Sequence, residues 1–352
     1  MSSPWKQLSR AEGCCPPHQG GICLRTGQIC RKALLALTLL GTLAGCGAPS
    51  GSSSSGGGDG DLILLTIGTA DSGGTMYQAG SAIAQAITQE DRSIQINISA
   101  STGSGMNVCS LASGEVDLAL VSGDVAHAAV HGEDEFQPPI ELRAIAAVYS
   151  SVSNWVAPAS SGYTYVHDLT EARIGVGPQG STTELSARVA VAALSLEEQG
   201  TTLVNCGLGD GAEMLGKGEL DAVHAFTGMP VSSLVSLAEK LPCRVLLYTP
   251  EELATILEEH LVYYPAQIPA GTYPGQSEAV DTFGVKCLLC VSSSMPEDLA
   301  YQLTQAIWNA SGRMGDYHPS LADMAQADFL CQDLPIPLHP GAERFYQEAG
   351  AL

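Results

Sequence analysis

Serines, threonines and glycines cluster in four loops that follow predicted strands, and the first, second and fourth of these loops also open a predicted helix. The loops are Gly73-Gly74-Thr75, Ser101-Thr102-Gly103-Ser104, Ser122-Gly123-Asp124 and Gly180-Ser181-Thr182. The first N–H groups of a helix have no partner within the helix and carry the positive end of its dipole, so they attract anions. Glycine lets a ligand approach the backbone, and the hydroxyls add hydrogen bonds. The pattern predicts a site for a small carboxylate; the alternative is that each loop only caps its helix.

No motif in the chain indicates an enzyme. The sequence contains neither a G-x-S-x-G nucleophile elbow nor a G-x-x-x-x-G-K-[ST] phosphate loop. One Gly-x-Gly-x-x-Gly occurs at Gly175, Gly177 and Gly180, but Pro178 interrupts it and no acidic ribose partner is evident. The histidines are scattered, and the carboxylates form no evident acid–base pair. We therefore predict a protein without catalytic residues, cofactor or metal.

Six cysteines follow Cys46 in the sequence, and two of them form a C-x-x-C pair. Cys287 and Cys290 lie in Val285–Val291, an apolar run that predicts a buried strand, in which residues i and i+3 face opposite sides. There is no second C-x-x-C and no histidine at ligand spacing, so zinc is not expected. For the six cysteines together, two states stay open: buried free thiols, or one disulfide formed after export.

The charge of the chain restricts its partners. It has 15 Lys and Arg against 37 Asp and Glu, a net charge of −22. Such a chain is repelled by phosphate backbones, which excludes nucleic-acid binding. An anionic lipid surface repels it too, so any membrane attachment must be covalent or hydrophobic.

The N-terminal sequence provides such an attachment. Arg31-Lys32 precedes a short apolar run, residues 33–40, which is followed by Leu43-Ala-Gly-Cys46. The run is too short to span a membrane and indicates an export signal. Leu-Ala-Gly-Cys is the pattern of a bacterial lipobox, so we expect cleavage before Cys46 and lipidation of its thiol; the alternative is a plain secretory signal. We assign 1–45 to the leader and 46–61 to the lipidated cysteine and a Gly/Ser-rich tether.

The rest of the chain alternates predicted strands and helices, and part of the pattern occurs twice. Leu111 to Leu118 and Leu215 to Ala222 both contain Leu-x-x-Gly-Glu-apolar-Asp. The repeat predicts two similar α/β lobes, each a mostly parallel sheet flanked by helices, with the ligand at the carboxyl ends of the strands. No third loop module follows residue 281, so we expect the chain to return to the first lobe and form a hinge. Lobe 1 is assigned to 62–157 plus 277–352, and lobe 2 to 158–276.

Five stretches resemble the TAXI family, the solute receptors of tripartite ATP-independent periplasmic (TRAP) transporters. They are Ile67–Tyr77, Leu111–Ala126, Gly175–Thr182, Ile268-Pro-Ala-Gly-Thr-Tyr-Pro-Gly-Gln276 and the tail Pro335–Tyr346, with its His339-Pro-Gly-Ala-Glu-Arg string. The resemblance covers residues 62–348. It departs from the usual family pattern at Asp71, which adds a negative charge to the first loop, and at Gly123.

The resemblance implies a type II periplasmic-binding-protein fold, with two lobes that close on a ligand cleft. It implies a receptor that captures a small organic anion or amino acid and delivers it to the TRAP permease subunits, fused or separate. Its location would be extracytoplasmic, as a lipoprotein in the periplasm or on the outer face of the cell membrane. A sensor of the same fold that signals to a partner protein is the alternative. The implied ligand-binding residues are Ser72, Gly73, Gly74, Thr75, Tyr77, Thr102, Gly103, Ser104, Ser122, Asp124, Val125, Gly180, Ser181, Thr182, Thr183, Gly228, Met229 and Pro230.

Overall fold

The structure is a computed structural model that describes residues 62–72, 74–133 and 136–352. The predicted leader, the lipobox with Cys46 and the tether lie outside the described residues, and so does the candidate ligand-binding residue Gly73. No helix of the described residues is long and apolar enough to cross a membrane.

Strands and helices alternate through the first two thirds of the described chain, and helices dominate its last third. The strands are β1 Ile63–Gly68, β2 Ile94–Ser99, β3 Leu118–Ser122, β4 Leu142–Pro158, β5 Arg173–Gly175, β6 Thr202–Val204, β7 Ala222–Thr227, β8 Cys243–Val245, β9 Tyr264–Ile268 and β10 Val280–Ser292. The helices are α1 Thr75–Glu90, α2 Ser104–Ser113, α3 Gly123–His131, α4 Thr182–Ala193, α5 Leu208–Lys217, α6 Ser232–Ala238, α7 Pro250–Glu259, α8 Glu297–Ala310, α9 Met314–Tyr317, α10 Ala327–Cys331 and α11 Pro340–Glu348.

The strands form one curled, mixed sheet in the order β2-β1-β3-β10-β4-β7-β5-β6, with β8 against β4 and β9 against β10. Pairs β1–β2, β1–β3, β5–β6 and β5–β7 are parallel, as expected for strands joined through helices. The pairs made by β4 and β10 are antiparallel. The parallel parts thus lie at the two ends of the sheet, and the antiparallel pair joins them.

β4 and β10 are the long strands of the sheet, and the two parts of each have different partner strands. The first part of β10 pairs with β9 and its second part with β3, while β4 pairs with β10 from Leu142 and with β7 from Val152. We call the part around β1–β3, α1–α3 and α8–α11 lobe 1, and the part around β5–β9 and α4–α7 lobe 2. Both lobes are therefore built on the same two strands.

Each lobe has hydrophobic clusters on the two faces of its part of the sheet. In β10, Cys287 and Leu289 face the cluster of α1 and α8, whereas Leu288 and Cys290 face the cluster of α2 and α3. The prediction that Cys287 and Cys290 point to opposite faces of a buried strand is confirmed. Among the described cysteines, Cys206, Cys243, Cys287, Cys290 and Cys331 carry free thiols.

The repeated sequence motif has the same structure in both lobes. Gly114 and Gly218 end α2 and α5 with left-handed backbone conformations, φ 74° and 75°, which glycine adopts without strain. Asp117 Oδ2 then accepts the Thr66 N–H of β1, and Asp221 Oδ2 accepts the Arg173 N–H of β5, both at 2.8 Å. The repeat is thus a unit that ends a helix and bonds to the backbone of a neighbouring parallel strand, β1 in one lobe and β5 in the other.

Two further features of the local structure concern the segment after α9 and the strand β4. After α9 the chain forms a 3-10 segment, Pro319–Ala325, which the short α10 follows. The strand β4 was not predicted at all, because it is buried along nearly its whole length and its sequence lacks the alternation that marks a half-buried strand.

Candidate ligand-binding site

The predicted loops lie where helices begin at the carboxyl ends of parallel strands. β1 leads to α1, β2 to α2, β3 to α3 and β5 to α4. Gly74, Gly103 and Ser122 precede α1, α2 and α3, and none of them donates or accepts a side-chain capping bond. Of these four helices, α4 is the one capped this way, by Ser181 Oγ, which accepts the Glu184 N–H. The residues before α1, α2 and α3 provide no such cap.

Ser104 joins the loops of the two lobes. Its Oγ accepts the Ser122 N–H at 3.0 Å within lobe 1, and it also accepts the Thr182 hydroxyl of lobe 2 at 2.9 Å. Beside it the two backbones approach closely, because a Cβ added at Gly103 would lie 3.6 Å from the Ser181 Cα. Ser104, Ser122, Ser181 and Thr182 are all buried. The structure thus brings together three of the four loops predicted from the sequence.

Thr75 makes a second bond between the lobes. Its hydroxyl donates to the Gly228 carbonyl oxygen at 2.6 Å, and both residues are buried. Gly228 has no room for a side chain, since an added Cβ would lie 2.8 Å from the Thr75 Cγ2 and from the Ser320 Cβ. Glycine is therefore required where β7 ends against lobe 1.

The first loop also reaches the beginning of α5 in lobe 2. A Cβ added at Gly207, which precedes α5, would lie 3.2 Å from Asp71 Oδ2, and one added at Gly74 would lie 3.6 Å from Leu208 Cδ1. A carboxylate near the N-terminus of a helix is favourable because of the helix dipole. Asp71, the departure from the TAXI pattern, is thus part of the contact between the lobes.

Asp124 is a buried carboxyl at the start of α3. Its Oδ2 accepts the hydroxyl of Tyr263 from lobe 2 at 3.0 Å, and its Oδ1 accepts the Val125 N–H at 2.9 Å. Burial raises the pKa of Asp124, and the nearby Ser122 hydroxyl opposes that rise. Burial lowers the pKa of His260, and the Asp124 carboxyl opposes part of that decrease.

Two buried hydroxyls near Asp124 lack a hydrogen-bond partner, Ser122 Oγ and Tyr149 OH. Ser122, Cys287 and Tyr149 are successive neighbours across β3, β10 and β4, so their side chains share one face of the sheet. Burial raises the pKa of Tyr149 well above its ordinary value, and Thr227 and Ser151 oppose the rise. Buried polar groups are nearly always hydrogen-bonded, so two together without partners mark a place for a ligand or water.

The described lysines and arginines make their polar contacts elsewhere. Lys286 Nζ donates to the carbonyl oxygens of Phe329 and Gln332, and Arg188 pairs with Glu184 at 2.8 Å. The other Glu184 carboxyl oxygen accepts the Gly180 N–H and so fixes the loop before α4. The contacts that Thr75, Ser104, Ser122, Asp124 and Thr182 make at this interface include no ion pair or hydrogen bond to a lysine or arginine of the described residues. At these residues the helix N-termini contribute positive potential.

The predicted site residues differ in burial and in the contacts that they make. Thr75, Ser104, Ser122, Asp124 and Thr182 belong to the buried contacts between the loops. Thr183 Oγ1 accepts the Phe226 N–H within lobe 2, and Tyr77 and Gly180 are half-buried. Ser72 and Thr102 are exposed. Val125, Gly74 and Gly103 contribute buried backbone.

Met229 and Pro230 lie beside this interface, at a separate cavity of about 450 Å³. Its lining comes from both lobes and includes Ser150 and Val152 of β4, Ser320 and Asp323 of lobe 1, and Thr272 of lobe 2. Thr272 belongs to the Pro-Ala-Gly-Thr-Tyr-Pro-Gly-Gln string. In the same string, Tyr273 OH donates to Asn154 Oδ1 on β4 at 2.9 Å, which fixes the loop to the shared strand.

Sequence reasoning missed Tyr149, Ser151 and Tyr263. Tyr149 and Ser151 belong to β4, which was not predicted, and Tyr263 follows α7, far along the chain from Asp124. No local pattern marks any of them, because their role depends on which strands are neighbours. Among the described residues, no group of three or more His, Cys, Asp or Glu side chains could hold a metal ion.

The fold is that of the two-lobed periplasmic binding proteins. The chain is similar to a solved structure of MatC from Rhodopseudomonas palustris with bound malate, with a TM-score of 0.54 and 14% identity over 82% of this chain and 97% of that one. It is also similar to a structure described as a periplasmic transporter, with a TM-score of 0.52 and 13% identity over 84% of this chain and 94% of that one. At such identities the similarity shows the fold alone. Residues 67–350 match the model of the NMT1-like family, and the chain belongs to that family.

Proposed function

We propose that the protein is an extracytoplasmic solute receptor, which binds a small carboxylate between its lobes and delivers it to a TRAP-type permease. The observation that carries this is the interface itself: uncapped N-termini of α1 and α2 meet serine and threonine hydroxyls from both lobes. Such N–H groups favour an anion without any arginine. The TAXI strings in the sequence and the periplasmic-binding-protein fold support the same assignment.

The proposal includes the binding residues and the lobe boundaries inferred from the sequence. Ligand contacts would come from the four loops together with Gly228, Met229 and Pro230. The chain would cross between lobes near residues 157 and 277, within β4 and just before β10. Lipidation at Cys46 would hold the receptor at the membrane. No enzymatic step is proposed, since the interface offers no acid–base pair acting on an accessible nucleophile.

Closure follows from the position of the contacts. Thr75–Gly228 and Ser104–Thr182 join different lobes, so both bonds exist only when the lobes meet. A ligand that touches both lobes binds the closed form more tightly and shifts the population towards it. A permease can then distinguish a loaded receptor from an empty one.

Thermal unfolding of the purified protein tests the proposal, with and without dicarboxylates, 2-oxo acids, amino acids and sugar acids. A ligand at 100 times its Kd adds about 2.7 kcal/mol to the free energy of unfolding, enough for a clear rise in Tm. Small-angle scattering should show a decrease in radius of gyration with the same ligand. If none of these solutes changes either quantity, and mass spectrometry of the denatured protein finds no bound solute, the receptor assignment is wrong.

A sensor that signals to a partner protein remains the second candidate. It would bind the same solutes and close in the same way, so binding does not separate the two. Uptake of the labelled solute into cells or vesicles that contain the receptor and its permease does separate them. Transport that requires the receptor supports the proposal, and ligand-dependent binding to another protein without transport supports a sensor.

A further inference from the structure

We propose that the solute is a zwitterion, a small carboxylate that also carries a protonated amine, and that Asp124, Ser122 and Tyr149 bind its ammonium group. This rests on the proposed receptor function and narrows it. It also assigns a binding role to Tyr149, which lies on a strand that no sequence motif identified.

Asp124 provides the charge for such a group. The carboxyl is buried at the interface, where it accepts one bond from Tyr263 and one from the Val125 N–H. A carboxylate has about four acceptor positions, so two hydrogen bonds leave capacity for another donor. A buried carboxylate is costly unless it has a positive partner, and none of the described lysines and arginines bonds to it. A cationic ligand group would supply that partner.

Ser122 and Tyr149 provide the remaining acceptors. Both side chains are completely buried, and neither hydroxyl has a hydrogen-bond partner. Cys287 lies between them in the sheet, so the Ser122 and Tyr149 side chains share one face of it, and the nearby Asp124 carboxylate adds to the rise that burial causes in the pKa of the Cys287 thiol. An ammonium group has three N–H donors and no acceptor. One carboxylate and two unused hydroxyls therefore match its hydrogen-bonding needs.

The other end of the interface, at the N-termini of α1 and α2, suits one carboxylate of the solute and not a second one. The uncapped N-termini of α1 and α2 provide partial positive charges, and no described lysine or arginine adds a full one. A second carboxylate on the solute would have to lie near Asp124 without a counterion. The charges thus favour an amino acid over a dicarboxylate of similar size.

The first experiment is calorimetric titration of the purified protein with each of the twenty protein amino acids, and with succinate, malate and 2-oxoglutarate. The amino acid that binds most tightly is then compared with its 2-hydroxy acid, in which a hydroxyl replaces the amine. We expect the amino acid to bind roughly ten- to hundredfold more tightly, the range for a lost hydrogen bond to a charged group. Equal binding of the hydroxy acid, or tightest binding of a dicarboxylate, overturns the inference.

Two variants test the assigned residues. Asp124→Asn keeps the shape of the side chain and should weaken the amino acid about tenfold or more, while the hydroxy acid is unaffected. The matched control is Asp281→Asn, an exposed aspartate that also accepts one side-chain hydrogen bond, from Gln267 at 2.8 Å. Tyr149→Phe should weaken the amino acid without lowering the Tm of the ligand-free protein, because the lost hydroxyl has no partner.

The outcomes separate this inference from the proposed function. If a hydroxy acid or a dicarboxylate binds at least as tightly as the best amino acid, the receptor stands and the zwitterion assignment falls. If Asp124→Asn weakens amino and hydroxy acids equally, Asp124 does not recognise the amine and the inference is wrong. If no tested carboxylate of any kind binds, both proposals fail.

Discussion

Replacing Ser104 by alanine should affect folding stability and ligand affinity through two separable hydrogen bonds. Ser104 Oγ accepts the Ser122 N–H within lobe 1 and the Thr182 hydroxyl from lobe 2. The first bond exists whether the lobes are open or closed. The second exists only in the closed form, because water replaces it when the lobes separate.

The two losses have different magnitudes and different readouts. Ser104→Ala leaves the buried Ser122 N–H without an acceptor, which should lower the free energy of unfolding by about 1–3 kcal/mol. Loss of the Thr182 bond costs about 0.5–1.5 kcal/mol in the closed form alone, so affinity should fall roughly two- to tenfold. Urea unfolding measures the first effect, and calorimetric titration with the solute found by thermal shift measures the second.

Ser81→Ala is the matched control. Ser81 lies in α1 and its hydroxyl donates to the Tyr77 carbonyl oxygen of the preceding turn, so its removal leaves no buried group unsatisfied. The double variant Ser104→Ala/Thr182→Val should show an affinity close to that of Ser104→Ala alone, because both changes remove the same bond. If Ser104→Ala is no less stable than Ser81→Ala, or if the two affinity losses simply add, the assignment of Ser104 as the link between the lobes is refuted.

Three further predictions concern steric fit, pH and the repeated motif. Gly228→Ala should weaken solute binding roughly five- to hundredfold, since the new Cβ would overlap Thr75 and Ser320 and overpacking costs about 1–3 kcal/mol. Gly312→Ala, whose added Cβ meets nothing within 4 Å, is the control, and equal affinities of the two variants would contradict the fit. Burial lowers the pKa of His224 to about 3, so the unfolded state binds more protons and stability should fall by up to roughly 5 kcal/mol as pH drops from 6.5 to 3. Urea unfolding across that range should show a flatter profile for His224→Phe, and an unchanged slope would mean that the histidine is not buried neutral. Asp117→Ala should cost about 1 kcal/mol of unfolding free energy, and Asp221→Ala should cost at least as much, because Asp221 also accepts a hydrogen bond from the Arg173 side chain. The two losses should add in the double variant because they concern different strands, and clear non-additivity by urea unfolding would contradict independent units.

The sequence was informative where structure depends on neighbours along the chain. The glycine-rich loops, the repeated Leu-x-x-Gly-Glu-apolar-Asp unit and the alternation of Cys287 and Cys290 all express local geometry. They led to the α/β class and to the loops that meet between the lobes. Helix starts and ends are fixed by a few adjacent residues, so the residues around Ser104 and Gly218 are enough to predict where one helix begins and another ends.

What the sequence could not provide depends on contacts between distant segments. Tyr149 became a candidate only when β4 was seen beside β10, and Tyr263 only when it was seen to donate to Asp124, 139 residues away. β4 itself is buried on both faces along its length, so its sequence lacks the period that identifies a strand. The contact between Asp71 and Gly207 likewise joins two loops that no spacing rule relates.

The shared strands β4 and β10 have a consequence for how the protein unfolds. Trp155 of β4 and Phe283 of β10 lie in a hydrophobic cluster of lobe 2, while Val148 and Leu289 of the same strands lie in one of lobe 1. Melting of either lobe would therefore remove strand partners from the other. The two lobes should denature in one cooperative transition, with equal calorimetric and van't Hoff enthalpies. Thus the strands about which the proposed closure would occur should also make the stabilities of the two lobes inseparable.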